Sequence, residues 1–403
     1  MASPSSETLT PGLVRLMAAG AGLCVSSNYF CQPLLALFVQ EFHITPAHAA
    51  MLVTFTQLGY IAGLLFLVPL GDLLERRRLL VTCTALSTVL LAAMGLAPNF
   101  PALMGVAVLL GCTTVAAQIL VPLSAHLAPP LQRGRIVSTV MSGLIIGILL
   151  ARFAAGLIAE FAGWRAVYLI AAVLMAYFCW TCQRRLPRVE PTTQGSYGGL
   201  LKSILELFAR EPVLRRRGLM GGLGFGAFAA FWTAMAFMLK ENWHAGEGAI
   251  GAVALVGAIG AMSARFAGRI ADAGWARVST GVFLLLVVVS WALMFAGTHS
   301  LVALIVGVVL LDLGLQGSHI SNQSEVYRLD PAARSRITTV YMTMYFCGGA
   351  LGSALTGPAY AAHGWTGACV IGAAMAAAAF VVWAVGELRF PIARMRHAKP
   401  GTA

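Results

Sequence analysis

The chain has 403 residues, of which 59% are hydrophobic and 10% charged, and its mean hydropathy is +0.82. Soluble domains carry about 25% charged residues, so this composition excludes a soluble globular protein and indicates an integral membrane protein. A formal net charge of +12 would suggest nucleic acid as the partner of a soluble chain. Here the basic residues lie mostly in short loops between apolar runs, where they set membrane topology. We therefore expect contact with a lipid bilayer and none with nucleic acid.

Twelve apolar stretches are long enough to cross a bilayer, which takes about 20 helical residues. The sequence therefore predicts an all-α membrane protein with twelve transmembrane helices. In chain order, the predicted spans are approximately residues 12–39, 47–71, 79–97, 101–126, 136–160, 165–183, 216–239, 248–271, 278–296, 300–326, 337–360 and 365–388.

The longest polar insertion divides these spans six and six. We expect an amino-terminal six-helix bundle at 1–183, a cytoplasmic linker at 184–215, and a carboxy-terminal six-helix bundle with a short cytoplasmic tail at 216–403. Within the linker, apolar and charged residues alternate from Leu200 to Arg210. This pattern is typical of an amphipathic helix that lies on the membrane surface.

The positions of lysine and arginine predict the orientation of the bundle. Of the 27, only Arg165 and Lys240 fall on the loops that share one side of the membrane, and Arg152 lies deep inside a span. The others lie on or near the opposite side, which the positive-inside rule makes cytoplasmic. Both termini are therefore predicted to be cytoplasmic.

The second half of the chain repeats the first. Residues 133–164 and 334–365 align at an offset of 201 residues. A bundle that occurs twice in the same orientation is typical of transporters, which bind substrate near the midplane between the copies. Seven identities fall in register: Arg133/Arg334, Arg135/Arg336, Ile136/Ile337, Gly147/Gly348, Gly156/Gly357, Gly163/Gly364 and Trp164/Trp365.

An acidic-basic loop is also duplicated, because VPLGDLLERRR around Asp72 is matched by GRIADAGWAR around Asp272. Together with the twelve spans, the six-plus-six repeat and the central loop, it resembles the major facilitator superfamily over essentially the whole chain. That family's loop signature is Gly-x-x-x-Asp-Arg-x-Gly-Arg-Arg. This resemblance implies two six-helix bundles related by a parallel repeat, which rock about a central substrate site, and a monomeric transporter. The first copy departs from the signature at Val68, Leu73 and Glu75.

The duplicated loop supplies candidate gating residues. An anion is stabilised at the positive N-terminus of a helix, so Asp72 can face the start of span 11 and Asp272 the start of span 5. The resemblance implies that such contacts hold the outward-open state. For the arginines, a role in setting topology is an equal alternative. The candidate gating set is Asp72, Arg76, Arg77, Asp272, Arg277, Arg135 and Arg336.

Span 10 carries a polar stripe at helical spacing, formed by Asp312, Gln316, His319 and Gln323. An ionisable group inside a membrane span is costly and normally faces a partner or a water-filled cavity. We expect Asp312 to couple transport to a proton or cation, with His319 as a second candidate. Interhelical packing through hydrogen bonds is the alternative.

Arg152 is the other charge inside a span. Its side chain could bind an anionic group of a substrate, or snorkel outward towards Glu160. Helix positions place Arg152 and Asp312 about 12 Å apart in depth, which argues against a direct ion pair between them.

Further polar side chains are spaced to face a central cavity, although helix packing is an equal alternative for any one of them. Aromatic residues on spans 7 and 11, Trp232 among them, could provide the walls. The candidate cavity set is Asn28, Gln32, Gln57, Gln118, Arg152, Gln316, Gln323 and Trp232.

Two phrases, NYFCQPLL from Asn28 and RSRITTVYMTMYFCGGALGS from Arg334, look like bacterial efflux-type members of the superfamily. They imply a bacterial inner membrane and favour proton-coupled efflux of a small organic compound. The family's antiporter signature in span 5 is broken, since Ile148 replaces its proline and Arg152 its last glycine. Uptake or facilitated passage of a metabolite is therefore the alternative. A membrane-embedded enzyme or receptor is disfavoured by the lack of a Walker sequence, a metal-spaced His/Cys cluster and an extra domain, so we expect no cofactor beyond the proton gradient.

Overall fold

A computed structural model of the chain describes residues 10–191, 196–270, 275–330 and 333–389, with side chains for all of these except 130, 258–268 and 387–389. Every secondary-structure element within these ranges is helical. The predicted all-α class is therefore confirmed for the described part of the chain.

The first half consists of eight α-helices and two irregular turns. A π-helical turn, Gly63–Leu67, continues α3, and a short 3₁₀ turn, Pro130–Gln132, precedes α8. The helices are α1 (Pro11–Ser26), α2 (Cys31–Phe42), α3 (Pro46–Ala62), α4 (Leu70–Leu73), α5 (Arg76–Gly95), α6 (Phe100–Thr113), α7 (Ala116–Leu127) and α8 (Arg133–Arg185).

The linker and the second half contain six helices. Within the linker segment, Ile204 is buried, while Leu205 and Phe208 are exposed. The helices are α9 (Tyr197–Arg210), α10 (Pro212–Trp243), α11 (Glu247–Ile270), α12 (Ala276–Ala296), α13 (Leu301–Val326) and α14 (Arg334–Arg389).

Several helices begin at a residue whose side chain caps the first turn. Thr10, Thr45, Asn99 and Ser300 each accept a hydrogen bond from a backbone amide three residues on, at 2.9 to 3.3 Å. Such caps satisfy amides that have no partner inside the helix and stabilise it by about 1 kcal/mol each. They fix where α1, α3, α6 and α13 start.

Two helices are too long to be single spans. Nine helical segments of the described chain are long and apolar enough to cross a membrane, and two of them have 53 residues each. At about 1.5 Å per residue these would extend about 80 Å, far beyond a hydrocarbon core of about 30 Å. Each is broken by a glycine with positive φ, namely Gly163 (φ 78°) in α8 and Gly364 (φ 58°) in α14. Each therefore covers two predicted spans. The eighth predicted span coincides with α11. Within the described side chains, its apolar stretch Glu247–Gly257 is too short to cross a membrane by itself. The count of twelve therefore stays a prediction.

The ends of the bundle can be told apart by their turns. We call the end that carries residues 43–45, 97–99, 244–246 and 297–300 and the two glycine breaks the distal end. The opposite end, where α1 begins and α14 ends, is the terminal end.

Duplicated glycines bring the same two helices together in each half. A Cβ on Gly147 would lie 2.3 Å from the Cα of Gly22, and a Cβ on Gly348 would lie 2.5 Å from the Cα of Gly222. Such small residues allow two helix backbones to touch inside a membrane. The contacts join α1 to α8 and α10 to α14, so the repeat in the sequence corresponds to a repeat in the packing.

A second duplicated glycine joins the two halves at the distal end. A Cβ on Gly156 of α8 would lie 2.9 Å from the Cα of Gly251 in α11, and a Cβ on Gly357 of α14 would lie 2.7 Å from the Cβ of Ala50 in α3. The hydroxyls of Thr54 and Ser353 are 2.8 Å apart across the same interface. The distal end is therefore closed in this structure.

Candidate functional site

A small cavity lies between the two halves. Its charged and polar lining comes from α8, α10 and α13, and the backbone of α11 closes one side. With a volume of about 30 Å³, the cavity has room for a water molecule or two in this conformation. The lining residues are Ile145, Ile148, Leu149, Arg152, Phe228, Trp232, Ala254, Gly257, Asp312 and Gln316.

Arg152 is buried in this cavity, with 2% of its surface exposed. Its Nε donates a 2.6 Å hydrogen bond to Oε1 of Gln32. Its guanidinium carbon lies 4.4 Å from the ring centre of Tyr29 and 4.1 Å from that of Trp232. A guanidinium stacks well on aromatic faces because it is planar and weakly hydrated. Tyr29 belongs to the first half and Trp232 to the second, so the charge lies between the halves.

Asp312 presents its carboxylate to the same cavity. It is 7% exposed, and its Oδ2 has no hydrogen-bond partner among the described residues. Gly257 of α11 faces this oxygen, and a Cβ there would lie 2.7 Å from it. The missing side chain at position 257 therefore leaves the space that the carboxylate occupies.

The two charges share the cavity without forming an ion pair within 4 Å in the described structure. A direct pair is thus not formed, as the sequence predicts, but both side chains reach the same cavity although their helix positions suggest a difference of about 12 Å in depth. The alternative for Arg152, snorkelling towards Glu160, is not the arrangement seen. Glu160 instead accepts a 2.7 Å hydrogen bond from the amide of Gly248, at the start of α11.

The other three residues of the span 10 stripe divide between the cavity and α14. Gln316 lines the cavity beside Asp312. His319 Nδ1 lies 3.1 Å from the hydroxyl of Tyr341, and its ring is 4.6 Å from that of Tyr345. Gln323 Nε2 lies 4.0 Å from the sulfur of Met342, a weak contact. The structure thus brings two of the four stripe residues to the cavity and places the other two against aromatic and thioether groups.

The remaining polar candidates from spans 1, 2 and 4 make contacts within the first half or against α14. Asn28 accepts a 2.9 Å hydrogen bond from Thr114, and Gln118 donates to the hydroxyl of Tyr60 at 3.1 Å. Oε1 of Gln57 has no hydrogen-bond partner among the described residues and lies where a Cβ of Gly349 would be 2.5 Å away. For Asn28 and Gln118, these hydrogen bonds between helices correspond to the alternative of helix packing.

The candidate gating residues lie at the terminal end. Arg76 bonds to Asp72 at 3.3 Å, and Arg77 donates to the carbonyl of Gln183. Asp72 and Arg76 line a small pocket together with Ser335, in the first turn of α14. Asp72 thus lies close to the start of predicted span 11.

The second copy of the loop is seen only in part. Asp272 lies outside the described residues. Arg277 is 3.5 Å from Glu325, Arg135 is exposed, and Arg336 is partly buried. The gating roles of all these residues stay predictions.

Two features of the structure are not predicted from the sequence. One is Tyr29, whose position three residues before Gln32 does not reveal that it stacks on Arg152. The other is a charge cluster around Glu325, which lies 3.7 Å from Arg217, 3.5 Å from Arg277 and 3.4 Å from Arg328. Arg217 also donates to Thr280 and Asn322 at 3.1 Å each. Glu325 could have indicated this cluster, because it is an acidic residue in the last turn of a span. It was overlooked because the nearby arginines were interpreted only as topology signals.

The chain matches proteins that are named as transporters. The family model of the Major Facilitator Superfamily matches residues 17–328. A putative uncharacterized transporter of Escherichia coli (strain K12), YgaY, is 45% identical over 384 residues, which cover 95% of this chain and 97% of that protein. The probable transporter SCO4007 of Streptomyces coelicolor is 34% identical over 393 residues, covering 96% and 91%.

Solved structures share the fold. A bacterial homolog of the human lysosomal transporter Spinster, inward-facing and unoccupied, superposes with a TM-score of 0.70 at 15% identity, covering 95% of this chain and 96% of that one. A POT family transporter in complex with a peptide conjugate gives 0.74 at 12% identity, covering 94% and 95%. The family match and the two relatives, together with a helical bundle that encloses a charged cavity between its halves, show that this chain belongs to the major facilitator superfamily and is a membrane transporter, not an enzyme.

Proposed function

We propose that the chain exports a small organic compound from the cytoplasm by alternating access, driven by the proton gradient across a bacterial inner membrane. The observation that carries this proposal is the cavity between the halves, which holds the buried carboxylate of Asp312. A carboxylate without a partner is costly inside a membrane and is normally retained for ion or proton movement. Asp312 is accordingly the coupling residue of the proposal, and His319 is its second candidate.

The contacts between the halves support alternating access. Duplicated glycines close the distal end by letting α8 approach α11 and α14 approach α3. Such contacts can part as rigid units because each half is held together by its own glycine contacts, Gly147 with Gly22 and Gly348 with Gly222. The distribution of basic residues makes the distal end the periplasmic one. In this proposal, the described conformation is therefore closed to the periplasm.

The test is a compound-array growth assay in a bacterial host that lacks its main efflux pumps. We expect the intact protein to protect the host against some compounds, and a protonophore to abolish that protection. Asp312→Asn at matched expression should abolish it as well, because an amide cannot carry the proton. Glu206→Gln, which removes a carboxylate from the exposed linker helix, is the matched control and should protect fully.

Uptake is the second candidate, favoured by Arg152. Protonation of Asp312 would remove a negative charge beside this guanidinium, so that an anionic substrate would bind better together with a proton. The two would then move inward together. In the array, sensitisation to compounds or new growth on an anionic nutrient would support uptake and contradict export.

A further inference from the structure

The cavity combines opposite charges that each have an unused hydrogen-bonding atom. Nη2 of Arg152 and Oδ2 of Asp312 have no hydrogen-bond partner among the described residues, although the side chains are only 2% and 7% exposed. Leaving such atoms without a partner in a low-dielectric interior costs free energy. Each atom is therefore ready to bind a group of opposite charge.

Surrounding contacts hold the guanidinium of Arg152 in place, and a glycine leaves space for the carboxylate of Asp312. Gln32 binds Nε of Arg152 at 2.6 Å, and Tyr29 and Trp232 stack on its guanidinium. On the other side, Gly257 leaves room for the carboxylate of Asp312. A ligand therefore meets a guanidinium that is already oriented, which costs less on binding than ordering a mobile one.

Further lining groups extend this polarity. The indole Nε1 of Trp232 also has no hydrogen-bond partner in the described part of the chain, and it belongs to the cavity wall that touches Arg152. Arg152 and Trp232 thus supply donors from α8 and α10, whereas Asp312 supplies an acceptor from α13. Phe228, Ile148 and Leu149 fill the wall between them with apolar surface.

From this arrangement we propose that the transported compound is a small zwitterion with an apolar or aromatic body. Its carboxylate binds Nη2 of Arg152 and Nε1 of Trp232, and its ammonium group binds Asp312. This inference rests on the proposed function, since it names the substrate class of the same cavity. The cavity must widen to admit the compound, because in this conformation it has space for a water molecule or two.

The same arrangement of charges also accounts for the coupling of export to the proton gradient. A proton and an ammonium group compete for the carboxylate of Asp312, so that each zwitterion that binds there releases the proton that the carboxyl group held. After the zwitterion leaves on the far side, a proton binds and returns inward. One proton thus moves inward for each zwitterion that moves outward, which is the direction of exchange that proton-driven export requires.

The test uses purified full-length protein and two sets of matched probes. The first set is L-phenylalanine, phenethylamine and hydrocinnamate, and the second is L-leucine, isoamylamine and isocaproate. Each set holds the apolar body nearly constant while either the carboxylate or the amine is removed. Binding is measured by titration of the thermal unfolding temperature at millimolar probe concentrations. We expect the zwitterion of at least one set to bind about tenfold or more tightly than its single-charge partners, as loss of a charged hydrogen bond predicts.

Two variants should change which probe binds. Asp312→Asn keeps Arg152 and should bind the acid as well as the zwitterion, whereas Arg152→Gln should shift the preference towards the amine. The double variant should lose the distinction among the three probes. If the two charges only neutralised each other, the double variant would bind like the wild type. Lys202→Gln and Glu206→Gln remove an exposed pair of opposite charges 3.8 Å apart and are the matched controls, which should leave the ranking unchanged.

The outcomes separate this inference from the proposed function. Equal binding of a single-charge probe and the zwitterion, an unchanged ranking in both charge variants, or no shift with any probe would overturn the zwitterion assignment. None of these results would affect protection in the growth array, on which the export proposal depends. Conversely, zwitterion binding to a protein that protects against nothing would leave the site assignment intact and refute export.

Discussion

At the scale of single residues, Arg152 shows how a charge can be tolerated in the middle of a membrane protein. Its hydrogen bond to Gln32 and its stacking on Tyr29 and Trp232 compensate part of the cost of leaving water. These contacts require a planar guanidinium. Lysine carries the same charge as a compact point charge and does not reproduce them.

Arg152→Lys is therefore expected to be harmful although it conserves charge. We predict that the variant unfolds more readily, by about 1–3 kcal/mol for the lost stacking and hydrogen bond, and that protection in the growth array falls. Thermal unfolding of the purified protein and the array at matched expression measure the two effects. Arg188→Lys, at a loop position away from the cavity, is the control. Full protection by Arg152→Lys would show that charge alone is sufficient.

At the scale of helices, the two glycine breaks determine how α8 and α14 reverse direction. Gly163 has φ 78° and ψ 161°, and Gly364 has φ 58° and ψ −146°. Both conformations are essentially restricted to glycine, and a side chain there costs about 1–3 kcal/mol. At both positions a Cβ would meet nothing within 4 Å, so the strain is in the backbone alone.

We predict that Gly163→Ala and Gly364→Ala each lower stability by about 1–3 kcal/mol through this strain. The measurement is the unfolding temperature of each variant and its yield from membranes. Gly105→Ala provides the control, because Gly105 lies inside α6 and a Cβ there would also meet nothing within 4 Å. Alanine is the better helix former at that position, so this variant should be at least as stable as the wild type. Unchanged stability at both break positions would show that the helices can turn without positive φ.

The helices also show what a sequence can and cannot reveal. Their existence follows from apolar length, and their caps and breaks from Thr10, Asn99 and the two Gly-Trp pairs, because these are local properties of the chain. The site is not local. Gln32 and Arg152 are 120 residues apart along the chain, and only packing brings them together. Stacking of Tyr29 on Arg152 could not be read from spacing for the same reason.

At the scale of the whole molecule, the closed distal end is one of the two states that alternating access requires. Thr54 of α3 and Ser353 of α14 touch there through their hydroxyls at 2.8 Å. The two residues belong to different halves. A covalent link between them would therefore hold this end closed.

We predict that the double variant Thr54→Cys and Ser353→Cys forms a disulfide under mild oxidation and stops protection in the growth array. A reductant should restore it. The link is detected by the two halves staying joined after cleavage at a protease site inserted into the linker. Cys347, the exposed native cysteine of the described chain, is replaced by serine beforehand, and each single cysteine variant is a control. Undiminished protection by the fully cross-linked protein would contradict alternating access at this end.

At the offset of 201 residues that relates the two halves, Ser353 is the equivalent of Arg152, and Ala361 is the equivalent of Glu160. Equivalent positions thus have different surroundings, since Arg152 places a positive charge in the cavity whereas Ser353 contacts Thr54 at the distal end. Two identical copies would carry Arg152 and Asp312 twice or not at all, whereas this cavity holds one guanidinium and one carboxylate. The helices and their glycines occur twice, but the charged residues of the cavity are not repeated between the halves. A chain of two identical halves could therefore have the same architecture without this pair of charges.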